Sequence, residues 1–217
     1  MRVITLLSGG LDSTTLLYHF LSEGHEVRAL GVDYGQRHKR ELESARRVAE
    51  HAGVEYRVAD LSAANQFLQG SSQTSPDVEV PEGHYADENM RLTVVPNRNM
   101  IMLSVAAGWA ISTRSDVVAY AAHAGDHTIY PDCRQGFIDK LVEAIAVADW
   151  HPVRLSAPFA GISKADIVRR GHDLGAPLHL TWSCYKGGER HCGKCGTCVE
   201  RIEAFELAGV PDPTEYE

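Results

Sequence analysis

Four of the five cysteines, Cys184, Cys192, Cys195 and Cys198, form a C-x7-C-x2-C-x2-C pattern, with Cys133 standing apart. Four thiolates match a tetrahedral metal, and a zinc site made of four cysteines is closed, leaving no position for a substrate. An iron–sulfur cluster takes the same ligands. Reduced, unligated thiols are the plain alternative. A secreted disulfide framework would spread an even number of cysteines along a shorter chain, so the tight cluster reads as a metal site in a reducing compartment. Zinc with four thiolates carries net negative charge, which Lys186, Arg190 and Lys194 in the same stretch would offset.

The run Ser8-Gly9-Gly10-Leu11-Asp12-Ser13, followed by Thr14, separates a strand-like segment from a helical one. Glycines let backbone amides approach an anion, a helix N-terminus adds partial positive charge, and the serines supply donors. Neither the dinucleotide fingerprint G-x-G-x-x-G nor the Walker lysine is present, and a serine-capped turn is the alternative. Asp33-Tyr34-Gly35-Gln36-Arg37-His38 follows a second strand-like run. Ligands of open α/β sheets collect at such carboxyl ends, although a solvated turn would read the same way. Arg98 and Asn99 open a helix after Pro96 and Asn97, and the planar fork of Arg98 suits a phosphate or a carboxylate. An ordinary surface arginine is the alternative.

Residues 122–134 (AHAGDHTIYPDCR) hold two His, two Asp, a Tyr, a Cys and an Arg, a density that favours a substrate loop over a connector. His123 and His127 would suit a metal only on a helix, and Gly125 and Pro131 argue against one. Asp126 and Asp132 are the only carboxylates in residues 117–138. Either would accept paired hydrogen bonds from the edge of a purine-like base. Arg98 or Arg134 would then face a carboxylate on the substrate.

SGGLDS after a first strand is the signature of the PP-loop ATP pyrophosphatases, which this chain resembles there. Taken in order, SGGLDS, DYGQRH, VPNRN, YPDCR, SKADIVRRG at 163–171, LTWSCY and the cysteine cluster resemble the 7-cyano-7-deazaguanine synthase family over nearly the whole chain. The resemblance implies a ligase forming carbon–nitrogen bonds. It would convert 7-carboxy-7-deazaguanine and ammonia, with ATP, into the nitrile preQ0 of queuosine biosynthesis. It also implies ATP with Mg²⁺ and one structural Zn²⁺. The nucleotide is then expected on Ser8, Gly9, Gly10, Leu11, Asp12, Ser13, Thr14, Asp33, Tyr34, Gly35, Gln36 and Arg37. The chemistry falls to Ser8, Asp12, Ser13, Arg98 and Lys164, with Asp12 toward the Mg²⁺ and Lys164 toward the phosphates. Arg98, Asn99, Asp126, Tyr130, Asp132 and Arg134 are expected on the substrate, and the four cysteines on zinc. The chain departs from the family at Val94 and Asn97, where Tyr and Ala are more frequent, and in the run 124–129. Alternative readings are a PP-loop amidotransferase or thiolase acting on a related deazapurine, tRNA or protein, and a non-catalytic nucleotide sensor or zinc-stabilised scaffold.

These residues must be positioned by a 217-residue chain that is 44% hydrophobic and 23% charged, enough for one substantial core. Apolar runs at 2–7, 27–32, 54–58, 116–122 and 153–155 read as strands. Residues 39–52, 97–113, 134–148, 163–174 and 198–208 read as helices, as does the stripe Leu16, Leu17, Phe20, Leu21 closed by Gly24. This alternation predicts an α/β fold, a Rossmann-like parallel sheet flanked by helices, of the adenine nucleotide alpha hydrolase-like kind. Residues 1–180 would form the ATP-binding domain with an irregular insert near 62–92, functional or mobile. Residues 181–217 would add the zinc segment and a terminal helix packed on the same domain. The formal charge of −8 disfavours an extended nucleic-acid partner. The apolar start is too short for a signal peptide and no run approaches a membrane span. A cytoplasmic homodimer is expected.

Overall fold

The computed structural model describes residues 1–85 and 88–217. Among them, the apolar runs become five parallel strands, β1 (Arg2–Leu6), β2 (Glu26–Asp33), β3 (Glu55–Asp60), β4 (Val117–Ala119) and β5 (Arg154–Ser156), in the order β3-β2-β1-β4-β5. The period of two along each strand divides the core between the two faces of the sheet. Ile4, Leu6, Leu30, Val32, Val118 and Leu155 pack on one side against α3 (Arg98–Ser112) and α4 (Gln135–Ala146). Val3, Leu7, Val27, Ala29, Val117 and Ala119 face the other side. There they meet α1 (Leu11–Ser22), α2 (Arg40–Ala52), α5 (Lys164–Asp173) and α6 (Gly196–Ala208). The expected α/β layering is the one observed.

Chain order places the site. After β3 the chain crosses back so that β4 lies on the free side of β1, and strand order reverses between them. A crevice forms outside the carboxyl ends at such a reversal. Helix ends follow local chemistry. Gly53 at φ 67° and Gly209 at φ 69° close α2 and α6 in the left-handed region. Ser163 caps α5 by accepting from the Asp166 amide, while the Asp166 side chain reaches back to the cap.

Two expectations change. The fourth strand ends at Ala119 rather than at 122: the Tyr120 amide still reaches the Ser156 carbonyl (3.1 Å), and Tyr120, Ala121 and Ala122 line the crevice. Residues 62–92 are not featureless: they carry short 3-10 helices at Ser62–Phe67 and Glu88–Thr93 around a buried polar knot, Ser71 to Thr74. Local bonds hold that knot, among them Thr74 Oγ1 to the Leu68 carbonyl (2.7 Å) and the Ser72 amide to the Leu92 carbonyl (2.7 Å). Polar residues satisfied in this way leave no apolar period to read.

Candidate active site

The turn after β1 is held by its own serines. The Ser13 hydroxyl donates to the Gly10 carbonyl (3.1 Å), accepts from the Ser8 amide (3.2 Å) and lies 3.0 Å from the Ser8 hydroxyl. No side chain caps α1, so its first-turn amides remain available to an anion. Ser8, Gly10, Leu11, Asp12 and Ser13 line a cavity of about 210 Å³ at the carboxyl ends of β1, β2 and β4. Thr14 is buried behind it. Gly9 is also required by packing. At φ +89° a Cβ would lie 2.2 Å from the Glu41 carbonyl oxygen and 2.7 Å from the Ala45 nitrogen, so α2 could not dock. Gly9→Ala should therefore lose about 2–5 kcal/mol of stability from backbone strain and overpacking. Gly10→Ala, with nothing nearer than the Ser8 hydroxyl at 3.4 Å, should melt near the parent in the same thermal scan.

Opposite this turn, the first residue of α5 enters a charged cluster. Lys164 Nζ lies 2.6 Å from Asp12 Oδ2, 3.2 Å from Glu200 Oε2 and 3.3 Å from His123 Nε2. Burial opposes the ammonium, but Asp12 and Glu200 hold its pKa above the ordinary lysine value. Burial likewise opposes the Asp12 carboxylate, and Lys164 with His123 pulls its pKa below the ordinary range. Asp12 Oδ1 is buried without a partner. A lone carboxylate oxygen beside the nucleotide turn fits a Mg²⁺ ion, which binds through one or two carboxylates plus phosphates.

The far wall comes from α3 and the loop after β4. Arg98 lies 5.9 Å from the Tyr130 ring centroid, and its Nε is buried without a partner. Burial opposes its charge, yet Tyr34, Tyr185, Tyr130 and Asp132 keep its pKa well above the usual value. Asn99, Tyr130 and Asp126 also line the cavity. Asp126 accepts from the Tyr85 hydroxyl (3.1 Å) and the His123 amide (3.2 Å). Asp132 and Arg134 point elsewhere. Asp132 accepts from the Asn99 amide (3.0 Å), bracing the start of α3, and exposed Arg134 donates to the His127 carbonyl (2.7 Å).

The DYGQRH turn divides in the same way. Tyr34 and Gln36 line the cavity, although Gln36 uses its amide on the Tyr34 nitrogen (2.9 Å) and the Val32 carbonyl (3.3 Å). Asp33 pairs with Lys39 (2.5 Å), Gly35 packs against Asn65, and exposed Arg37 donates to the Val78 carbonyl (3.1 Å). His123 accepts the Gly125 amide on Nδ1 (3.1 Å), so its neighbours are the charged cluster rather than His127. Burial pushes the Cys133 thiol well up, and Asn99 donates to its sulfur (3.3 Å). It stays a neutral thiol at neutral pH.

The sulfurs of Cys184, Cys192, Cys195 and Cys198 are buried and lie within 4.8 Å of one another. Tetrahedral zinc, with Zn–S near 2.3 Å, needs sulfurs about 3.8 Å apart, so the set fits. Backbone amides of Lys194 and Cys195 point at Cys192 Sγ (3.4 and 3.3 Å). Lys186 pairs with Glu82 and also feels the charge of Cys192 and Cys195, while Arg190 pairs with Glu215. The segment also builds the cavity: Trp182, Ser183 and Tyr185 line it on either side of Cys184, and Thr197 and Glu200 line it from α6.

Residues 2–209 match the family model described as Queuosine biosynthesis protein QueC. The chain belongs to this family. Relatives named 7-cyano-7-deazaguanine synthase include that of Caldicellulosiruptor bescii, 51% identical over 100% of this chain and 98% of the relative. That of Allorhizobium ampelinum is 52% identical over 100% and 93%. That of Methanoregula boonei is 50% identical over the full length of both. An ammonia-dependent NAD synthetase from Campylobacter jejuni is similar in fold, with a TM-score of 0.50 and 17% identity over 82% of this chain and 66% of that one. Among the described residues, no helix is long and apolar enough to cross a membrane.

Within this QueC-family chain, sequence reasoning passed over several cavity residues. Glu41 and Glu200 line the cavity from α2 and α6, and Tyr85 lines it from the insert where no period exists. Their one available signal was adjacency: Glu41 follows DYGQRH closely, and Glu200 follows Cys198 by two.

Proposed function

We propose that this chain makes 7-cyano-7-deazaguanine from 7-carboxy-7-deazaguanine, ammonia and ATP. The supporting observation is that the SGGLDS turn, the Lys164 cluster and Arg98 open into one cavity. A carboxylate is a poor electrophile because its leaving group would be oxide. Attack on the α-phosphate of ATP releases pyrophosphate and gives an acyl-adenylate, from which ammonia displaces AMP to form the amide. A second adenylation of the amide oxygen lets that oxygen depart with AMP, leaving the nitrile. Two ATP are consumed per nitrile.

In this reading the α1 amides, Ser8 and Ser13 donate to the phosphates, and Lys164 offsets charge that develops on the departing pyrophosphate. Asp12 would hold Mg²⁺ through Oδ1, supplying Lewis-acid stabilisation of the phosphates. Arg98 holds the substrate carboxylate through its unpaired Nε edge, and Asp126 accepts from the base. The four cysteines hold one zinc ion whose role is structural, and residues 181–217 act as a zinc segment docked on the ATP-binding domain of residues 1–180. Pyrophosphate release should depend on the deazaguanine acid, and with ammonia present two AMP should form per nitrile. Pyrophosphate release that ignores the acid, or one AMP per product, overturns the reading.

A further inference from the structure

The proposed reaction strips the nitrogen of hydrogen: it enters as ammonia with three protons and ends as a nitrile nitrogen with none. Something in the cavity must accept them. Most titratable groups there are committed. Asp12 and Glu200 are paired with Lys164 at 2.6 and 3.2 Å, and Asp126 already accepts from Tyr85 and the His123 amide. Burial pushes Tyr34 up to about 12 and Tyr85, Tyr120, Tyr185 and Cys133 upward too, so none is a base at neutral pH. Tyr130 shares its hydroxyl with Thr93 (2.6 Å) and Tyr185 (3.4 Å).

Glu41 is left. It stands in the first turn of α2, half-buried on the same cavity as Arg98. Among the described residues its carboxylate makes no hydrogen bond and no ion pair. The charged and titratable groups facing it are Arg98 from α3, Tyr34 at the end of β2 and Tyr185 from the cysteine segment. Burial pushes its pKa up to about 7 against the pull of Arg98. A proton acceptor works best when its pKa lies near the working pH.

Resting on the reaction above, we propose that Glu41 is the proton acceptor for nitrogen in both the amide-forming and the nitrile-forming steps. In the first, the nitrogen lone pair forms the C–N bond and the C–O bond to AMP breaks. The N–H proton passes to a carboxylate oxygen of Glu41. In the second, attack of the amide oxygen on the α-phosphate leaves an adenylated amide with two N–H protons. Both pass in turn to the same carboxylate, one to give the neutral imidate and one as its C–O bond to AMP breaks and the nitrile forms. Glu41 returns each proton to water through the cavity mouth.

The test separates activation from nitrogen transfer. In Glu41→Gln, exchange of pyrophosphate into ATP that depends on the deazaguanine acid should persist close to the parent level without ammonia. Nitrile formation should fall by about 10²-fold or more. Against free ammonia, the parent rate should rise with pH through about 7 as the carboxyl ionises, and the variant should lack that limb. Glu41→Asp should recover part of both. Unchanged nitrile formation with the limb intact in Glu41→Gln overturns the proposal, as does loss of exchange together with nitrile formation. An absence of acid-dependent exchange in the parent overturns the underlying reaction itself, and this role with it.

Discussion

Lys164→Ala should lower turnover by about 10²–10³-fold, the usual cost of removing one well-placed electrostatic donor. It should also destabilise the fold by about 3–5 kcal/mol, because the remaining charges lose their buried partner. Asp12 and Glu200 would face each other's field with no cation between them. The pH dependence gives the cause away. In the parent, the lowered pKa of Asp12 contributes stability above the ordinary value of 3.8, lost as pH falls through its folded value. The raised pKa of Lys164 contributes stability below 10.5, lost only at higher pH. Both contributions are therefore present at neutral pH, opposed there by Glu200, whose carboxyl burial holds above the ordinary range even beside Lys164. In the variant the carboxyls hold protons more tightly folded than unfolded, so stability rises as pH falls. Denaturant melts should show a smaller deficit at pH 5 than at pH 8. An equal deficit at both, with turnover intact, would mean that Lys164 only packs.

Where the backbone is regular, side-chain direction follows from period, and the sequence carried the architecture well. Val3 and Ile4 fall into opposite cores because neighbours on a strand must. The SGGLDS turn was readable because a strand, two glycines and a helix leave few geometries. Irregular backbone has no such rule. In the loop after β4, density marked the stretch but could not tell Asp126, which lines the cavity, from Asp132, which braces α3. Arg98 and Arg134 separate the same way, one lining the wall and the other exposed on loop carbonyls. Glu200 escaped notice for a different reason. Its inward face is set by the docking of α6 on α5, a contact between segments far apart in the chain.

Stripping the metal, or Cys192→Ser, should lower the melting temperature by roughly 8–16 °C. Isolated structural zinc sites contribute about 10–16 kcal/mol. Here α6 keeps independent support: buried Arg201 donates to Asp212 (3.2 Å), Thr181 (2.8 Å) and the Leu178 carbonyl (3.3 Å), and Phe205 lies in the core. If only a third of the isolated value is felt, about 4 kcal/mol, the melting shift for a chain of this length is the one stated. Activity should suffer beyond stability. Trp182, Ser183 and Tyr185 flank Cys184 and Glu200 follows Cys198, so the same four sulfurs hold one wall of the cavity and a partner of Lys164. Turnover should therefore be lost at temperatures where the metal-free protein is still folded. Elemental analysis should find about one zinc per chain in a colourless protein, whereas a brown protein containing iron would assign the sulfurs to a cluster instead. A metal-free protein with its melting temperature and turnover unchanged would leave the four cysteines as plain buried thiols.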